Sequence, residues 1–248
     1  MNKCIVIIPA LNPDQMLLPY VKELSKFAFS QIIVVNDGSD PSHLPIFAEL
    51  EKYGCVILTH QQNLGKGQAL KTAFRYVLEN TGEDVHGVIT VDADGQHAIK
   101  DVCNIAEMLM KNPDHLVLGS RHFDEENVPV RSMLGNKLTS FAFYLLFGRN
   151  LADTQTGLRG ISKKHLAWMI QLKGDRYEYE MNMLINAIKR NIVVQEHKIE
   201  TIYFDRNASS YYKTVVDSLK ILRRIISGFF RKSENVKRKQ EFVSREEK

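Results

Sequence analysis

The chain has little of what many small specialised proteins depend on. Its three cysteines, Cys4, Cys55 and Cys103, are odd in number, far apart and set in apolar segments, which argues against a disulfide framework or a zinc site and points to a reducing compartment. No uninterrupted apolar run approaches the roughly 20 residues that span a bilayer. The apolar stretch Cys4–Ile8 runs straight into Pro9 and is too short for a signal-peptide core. No Gly-x-Gly-x-x-Gly occurs, and the first apolar run is followed by Pro-Ala-Leu-Asn-Pro, so hydride transfer on a dinucleotide is disfavoured. Basic residues are not interleaved with aromatic stacking platforms, and nucleic acid is not an expected partner. What remains is a globular chain of 248 residues, 44% hydrophobic, long enough to bury a substantial core. It is expected in the cytoplasm or on the cytosolic face of a membrane.

What is present has a clear period. Cys4–Ile8, Gln31–Val35, Cys55–Thr59, Gly87–Val91 and Leu116–Leu118 are rich in Val and Ile and bounded by Pro, Gly, Asn or Asp, as strands are. Between them, Leu17–Phe29, Leu44–Lys52, Gly67–Asn80 and Lys100–Lys111 carry apolar residues at helical spacing. This alternation predicts an α/β fold, a doubly wound, mostly parallel sheet with helices on both faces. Ligands of such sheets bind at the carboxyl ends of the strands. Four polar loops follow strands in that way: Pro9–Asp14, Asn36–Asp40, His60–Gly67 and Asp92–His97. Further on, Leu138–Phe147 is apolar nearly all round, as in a helix that is either buried or turned to lipid. Asp153–Gly160 reads as a polar loop, Tyr177–Asn191 as a helix, and Val193–Glu200 and Ile202–Phe204 as closing strands.

The heptapeptide Val91–His97, VDADGQH, is the most informative stretch. In an extended segment Asp92, Asp94 and Gln96 point to one side, which gathers two carboxylates and an amide oxygen about one point. Oxygen ligands of this kind suit Mg²⁺ or Mn²⁺, with open positions left for substrate phosphates. A solvated Asp-Gly turn is the plainer alternative.

The C-terminal part differs in charge. Residues 213–248 hold 11 Lys and Arg against 5 Asp and Glu, a net +6 that leaves −2 for residues 1–212. Within residues 213–232, Val215, Leu219, Leu222, Ile226 and Phe229 recur at steps of three and four, with Lys213, Lys220, Arg224 and Arg231 on the other side. This is a basic amphipathic helix suited to an anionic membrane surface, although docking of its apolar face on the core would leave the same pattern. Residues 1–212 would form the catalytic domain, and residues 233–248 a charged, disordered tail.

Seven motifs in one order, IIPALN (7–12), VVNDGSD (34–40), NLGKGQAL (63–70), VDADGQH (91–97), LGSR (118–121), DTQTGLRG (153–160) and YEYEM (177–181), resemble a family 2 glycosyltransferase. Within that family the chain is most similar to polyprenyl-phosphate sugar synthases of the dolichyl-phosphate mannose synthase type. The resemblance implies a GT-A fold, a nucleotide-diphosphate sugar donor, Mg²⁺ or Mn²⁺, and inversion at the anomeric carbon. It implies a metal held by Asp94 and Gln96, with Asp92 binding the donor or completing the metal shell. Pro9, Leu11, Asp37 and Ala93 would line the nucleotide pocket, and Lys66 and Arg121 would meet phosphates. The family usually shows an aromatic where Leu11 stands and an acidic residue where Pro13 stands, which leaves the base open. UDP-glucose is the donor expected by resemblance.

Arg131, Lys137, Arg159 and Arg206 fall in segments matching the acceptor side. A polyprenyl phosphate is already anionic and needs cations more than a base, whereas a hydroxyl acceptor would need one, for which Glu180 is placed. Asp153 would orient the acceptor or a cation, or cap the following turn. Three readings follow. The first is a peripheral membrane enzyme making a sugar-phospho-lipid, with room for a separate integral membrane partner. The second is a soluble enzyme acting on a glycan or glycolipid hydroxyl, and the third a silent nucleotide-sugar-binding subunit.

Overall fold

The structure, a computed structural model, describes residues 2–121 and 130–200, and of residues 2 and 130–138 the backbone alone. Seven strands form one sheet in the order β3-β2-β1-β4-β6-β5-β7. They are β1 (Asn2–Ala10), β2 (Phe29–Asn36), β3 (Val56–Thr59), β4 (Gly87–Thr90), β5 (Leu116–Arg121), β6 (Arg159–Ser162) and β7 (Val194–Ile199). β1 pairs in parallel with both β2 and β4, β2 with β3, and β5 with β7. β6 runs antiparallel to β4 and β5.

The two faces of the sheet divide the apolar residues by the period of two. Ile5, Ile7, Ile33 and Val35 point to one side, where α3 (Lys66–Asn80) brings Ala69, Leu70, Ala73, Phe74 and Val77. On the same side lie α5 (Val130–Phe147), α6 (Lys163–Ile170) and α7 (Glu178–Lys189), through Phe143, Leu166 and Tyr179. Cys4, Val6, Ile8, Ile32 and Val34 point to the other side. There α1 (Leu17–Leu24), α2 (Leu44–Lys52) and α4 (Ile99–Lys111) bring Leu17, Val21, Leu24, Phe47, Leu50, Val102, Ile105 and Leu109. Apolar strands covered on both faces explain why the sequence shows continuous rather than alternating hydrophobicity.

The order of strands reverses at β1, with β2 and β3 to one side and β4 to the other. That switch opens a crevice beyond the carboxyl ends of β1 and β4. Backbone bonds carry the pairing into the loops above it: Asp37 N–H to the Ala10 carbonyl (2.9 Å), His60 N–H to Asn36 (2.9 Å) and Val91 N–H to Ile7 (2.9 Å).

Two sequence expectations are corrected. The helix expected over Leu17–Phe29 ends at Leu24, and Phe29 opens β2. Pairing with β1 from Phe29 onward wins over the helical spacing, and Phe27 is left exposed. The Asp153–Gly160 segment is not all loop: Arg159 and Gly160 begin β6, which closes the gap between β4 and β5, and α6 follows it directly. The expected strand Ile202–Phe204, the 213–232 helix and the 233–248 tail lie outside the described residues. No helix among the described residues is long and apolar enough to cross a membrane.

The apolar segment Leu138–Phe147 is the second half of α5, and it is both inward and outward facing. Thr139 and Phe143 are buried, while Phe141, Tyr144 and Leu145 are 58%, 51% and 64% exposed.

Candidate active site

The loops after β1, β2, β3 and β4 meet α3 and α7 above the crevice. Asp37, buried after β2, is the anchor of the first group. Its Oδ1 accepts from Leu64 N–H (3.0 Å) and lies 2.7 Å from His60 Nδ1, while its Oδ2 accepts from Gly65 N–H (2.8 Å). His60 Nε2 in turn meets Thr72 Oγ1 on α3 at 3.0 Å. Asp37 thus folds the 60–65 loop over the N-terminus of α3. Gly65 has φ +99°, and a Cβ there would lie 2.4 Å from the Asp175 carbonyl, so this turn needs glycine to press against the segment before α7. Asn12 (φ 46°) ties the β1 loop to the β2 loop, its side chain bonding Asp40 Oδ2 (2.8 Å) and accepting from Asp40 N–H (2.7 Å). Pro9, Leu11 and Ala93 are half-buried at the same rim.

The centre of the site is a charge cluster. Lys66, the first residue of α3, places its ammonium 2.7 Å from Asp92 Oδ1 and 2.9 Å from Glu180 Oε2. Burial works against the Lys66 charge, yet Asp92 and then Glu180 outweigh it and hold the ammonium above the ordinary lysine range. Burial likewise works against the Asp92 charge, and Lys66 and then His97 reverse it, keeping this carboxyl well below the usual range. His97 Nε2 lies 3.5 Å from Asp92 Oδ2, close enough to stabilise the anion without forming an aligned hydrogen bond. Gly157 packs on the same carboxylate: a Cβ there would fall 2.2 Å from Asp92 Oδ2. Thr90 Oγ1 donates to the Gly157 carbonyl at 2.7 Å and fixes that approach.

Asp94 and Gln96 sit on the open turn after β4. Gln96 N–H donates to Asp94 Oδ1 at 3.0 Å, and Asp94 is exposed. Surrounding protein first, and the Asp92 carboxylate second, push the Asp94 pKa upward. Arg121, at the end of β5, donates through Nε to Asp153 Oδ2 (2.6 Å) and through NH2 to Oδ1 (3.3 Å). Asp153 is fully buried and also caps Gln155 N–H at 3.0 Å.

Arg159 is not at the mouth of the site, where an acceptor-binding residue would stand. It is fully buried at the start of β6 and donates to the carbonyls of Thr156 (2.9 Å), Glu180 (2.6 Å) and Thr154 (3.5 Å). The side chains of Arg131 and Lys137, on α5, and all of Arg206 lie outside the described residues. Three participants were not singled out from sequence. His60 and His97 had only their position at strand ends as a signal, and Gly157 had none, because its role is the absence of a Cβ beside a residue distant in the chain.

A doubly wound sheet with an acidic turn, a half-buried lysine and a helical carboxylate gathered at its switch point defines a GT-A-type transferase. The chain belongs to glycosyl transferase family 2, whose model matches residues 5–167. A UDP-N-acetylglucosamine–dolichyl-phosphate N-acetylglucosaminyltransferase of Methanococcus voltae is 33% identical over 216 residues, 80% of this chain and 85% of the relative. A dolichyl-phosphate beta-glucosyltransferase of Trichomonas vaginalis is 25% identical over 87% of this chain and 71% of its own. Among solved structures, glucosyl-3-phosphoglycerate synthase from Mycobacterium tuberculosis in complex with UDP superposes with a TM-score of 0.64. The identity there is 18%, over 91% of this chain and 79% of that one. The same enzyme with Mn²⁺, UDP and phosphoglyceric acid gives 0.60, at 18% identity over 91% and 76%.

Proposed function

We propose that the chain transfers a hexose from a uridine-diphosphate sugar to a polyprenyl phosphate at the cytosolic face of a membrane. The observation that carries this reading is that carboxylates of the cleft are already held by cations. Lys66 bridges Asp92 and Glu180, and Arg121 holds Asp153 through two nitrogens. Glu180 Oε2 is engaged by Lys66 and its Oε1 is out of contact with solvent, so a hydroxyl acceptor would find no base within reach, whereas a phosphate acceptor arrives ionised. The named relatives act on dolichyl phosphate, which supports the same class of acceptor.

Asp94 and Gln96 fit Mg²⁺ or Mn²⁺. One turn offers an exposed carboxylate and an amide, and few protein ligands supplemented by substrate phosphates is the usual way such ions are held. Asp92 fits beside the ion rather than as its main ligand, because Lys66 occupies its Oδ1. When bound, the ion would supply charge neutralisation for the departing diphosphate. Lys66 adds a second positive charge at the same end of the cleft.

The exposed apolar side chains of α5 support a lipid acceptor. Phe141 and Tyr144, with Ser140, Asn150, Leu151 and Ala152, line an open depression of about 430 Å³. The basic amphipathic segment 213–232 supports attachment to an anionic surface.

The test is to incubate the protein with Mn²⁺, undecaprenyl phosphate and radiolabelled UDP-glucose, UDP-N-acetylglucosamine or GDP-mannose. Label should enter the organic phase with one of the two uridine donors. Labelling from GDP-mannose alone would refute the nucleotide, and label confined to a water-soluble glycan would refute the acceptor.

A further inference from the structure

We infer that Glu180 is a positioning residue: it holds the Lys66 ammonium against Asp92 and takes no proton from the acceptor. The inference rests on the reading of this cleft as the donor site.

A general base must touch the proton it removes, or reach it through one water. Neither oxygen of Glu180 is free to do so. Oε2 is engaged by Lys66 at 2.9 Å. Oε1 is out of contact with solvent and accepts no hydrogen bond among the described residues; the Arg159 guanidinium lies 4.0 Å away. The residue as a whole is 6% exposed. Its backbone is equally fixed, since Arg159 donates to the Glu180 carbonyl at 2.6 Å.

Lys66, by contrast, joins the buried group to the open one. Its ammonium meets Asp92 at 2.7 Å, and Asp92 is 31% exposed in its side chain against 7% for Glu180. The Tyr177 ring lies 5.8 Å from the same ammonium and limits where it can swing. Two cations, Arg159 and Lys66, alternate with two anions, Glu180 and Asp92, from the core outward to the cleft. Removing one member leaves an unbalanced charge inside the protein, which is why the outer pair depends on the inner one. A lysine on a flexible stem at a helix start would otherwise turn to solvent. Glu180 acts on the donor only through that lysine.

A double-mutant cycle separates this role from catalysis and from general scaffolding. Lys66→Ala, Glu180→Gln and the double variant would be compared for kcat/KM of transfer. Binding of UDP-glucose and UDP-N-acetylglucosamine would be measured by calorimetry with Mn²⁺ and no acceptor. Glu180→Gln should weaken donor binding about tenfold even without acceptor, and Lys66→Ala should lower kcat/KM on the order of 100-fold. The double variant should then fall within about twofold of Lys66→Ala alone, because residues acting in series are not additive. Wild-type donor affinity in Glu180→Gln, with its loss in kcat/KM multiplying that of Lys66→Ala, would make Glu180 a base on the acceptor. Weakened donor binding with multiplying losses would mean that Glu180 does not work through Lys66, and either result overturns the inference. If the wild type binds neither uridine sugar, the reading of the cleft fails first and takes this inference with it. Should Glu180→Gln not fold, Glu180→Asp, which keeps the charge but shortens the reach to Lys66, is expected to show the same coupling.

Discussion

Replacing Asp94 by alanine is expected to abolish sugar transfer, by about a thousandfold or more in kcat, while leaving the fold unchanged. The residue is exposed on a turn and, among the described residues, its side chain accepts from Gln96 N–H, so little packing is lost. What is lost is the carboxylate that would ligate the divalent cation, and chelation of the wild type should do the same reversibly. The sign of the pH effect follows from the raised Asp94 pKa. On acidification Asp94 takes up its proton at a higher pH than an ordinary aspartate, so Mn²⁺ affinity should begin to fall above the usual Asp range. Calorimetric titration of Mn²⁺ with UDP across pH 4–8 measures it; full activity in excess chelator would contradict the assignment.

Arg159→Ala should be among the most destabilising substitutions in the chain. The change strips bonds from three backbone carbonyls, those of Thr154, Thr156 and Glu180, and leaves the Glu180 carboxylate without its inner counter-charge. Breaking a buried charge pair by removing one partner costs about 3–5 kcal/mol. For a domain of this size that lowers Tm by roughly 10 °C. Burial itself disfavours the Arg159 charge, with Glu180 first among the groups that oppose the shift. Arg159→Lys should recover only part of the loss, since an ammonium cannot span the three carbonyls that the planar fork reaches. Thermal unfolding followed by circular dichroism measures both, and a shift under about 2 °C for the alanine variant would show that the buried guanidinium contributes little.

The regular half of the molecule was legible because its signals are local. Each of β1 to β5 is an apolar run closed by a polar loop, and α2, α3 and α4 match their expected spans to within a residue at each end. Phe29 misled because it lies eight residues after Val21, on the helical period, although it pairs with Asn2 in the sheet. β6 was hidden because Arg159-Gly-Ile-Ser is four residues with one large apolar side chain, and its strand character comes from filling the gap between β4 and β5.

The site divides in the same way. Asp92, Asp94 and Gln96 lie within one heptapeptide and could be read together, whereas the contact of Lys66 with Glu180 joins the start of α3 to the first turn of α7. No local pattern encodes that contact. The residues of the 174–180 segment that carry it look unrelated until Gly65 and Gly67 are seen to press on Asp175. Arg159 falls in a segment that matches the acceptor side of the family by resemblance, and its complete burial argues against that role. An arginine in a polar motif gives no sign in sequence of facing inward.

The central claim, transfer to an already ionised lipid acceptor, is tested most directly by parallel reactions with a polyprenyl phosphate and the polyprenol of the same chain length. Each would be supplied at equal concentration with Mn²⁺ and the labelled uridine donor that the protein accepts. The account predicts organic-phase product from the phosphate, released as free sugar by mild acid as a glycosyl phosphate should be, and none from the alcohol. Comparable labelling of the polyprenol would contradict it, since a hydroxyl acceptor requires a base that the paired carboxylates of this cleft do not provide.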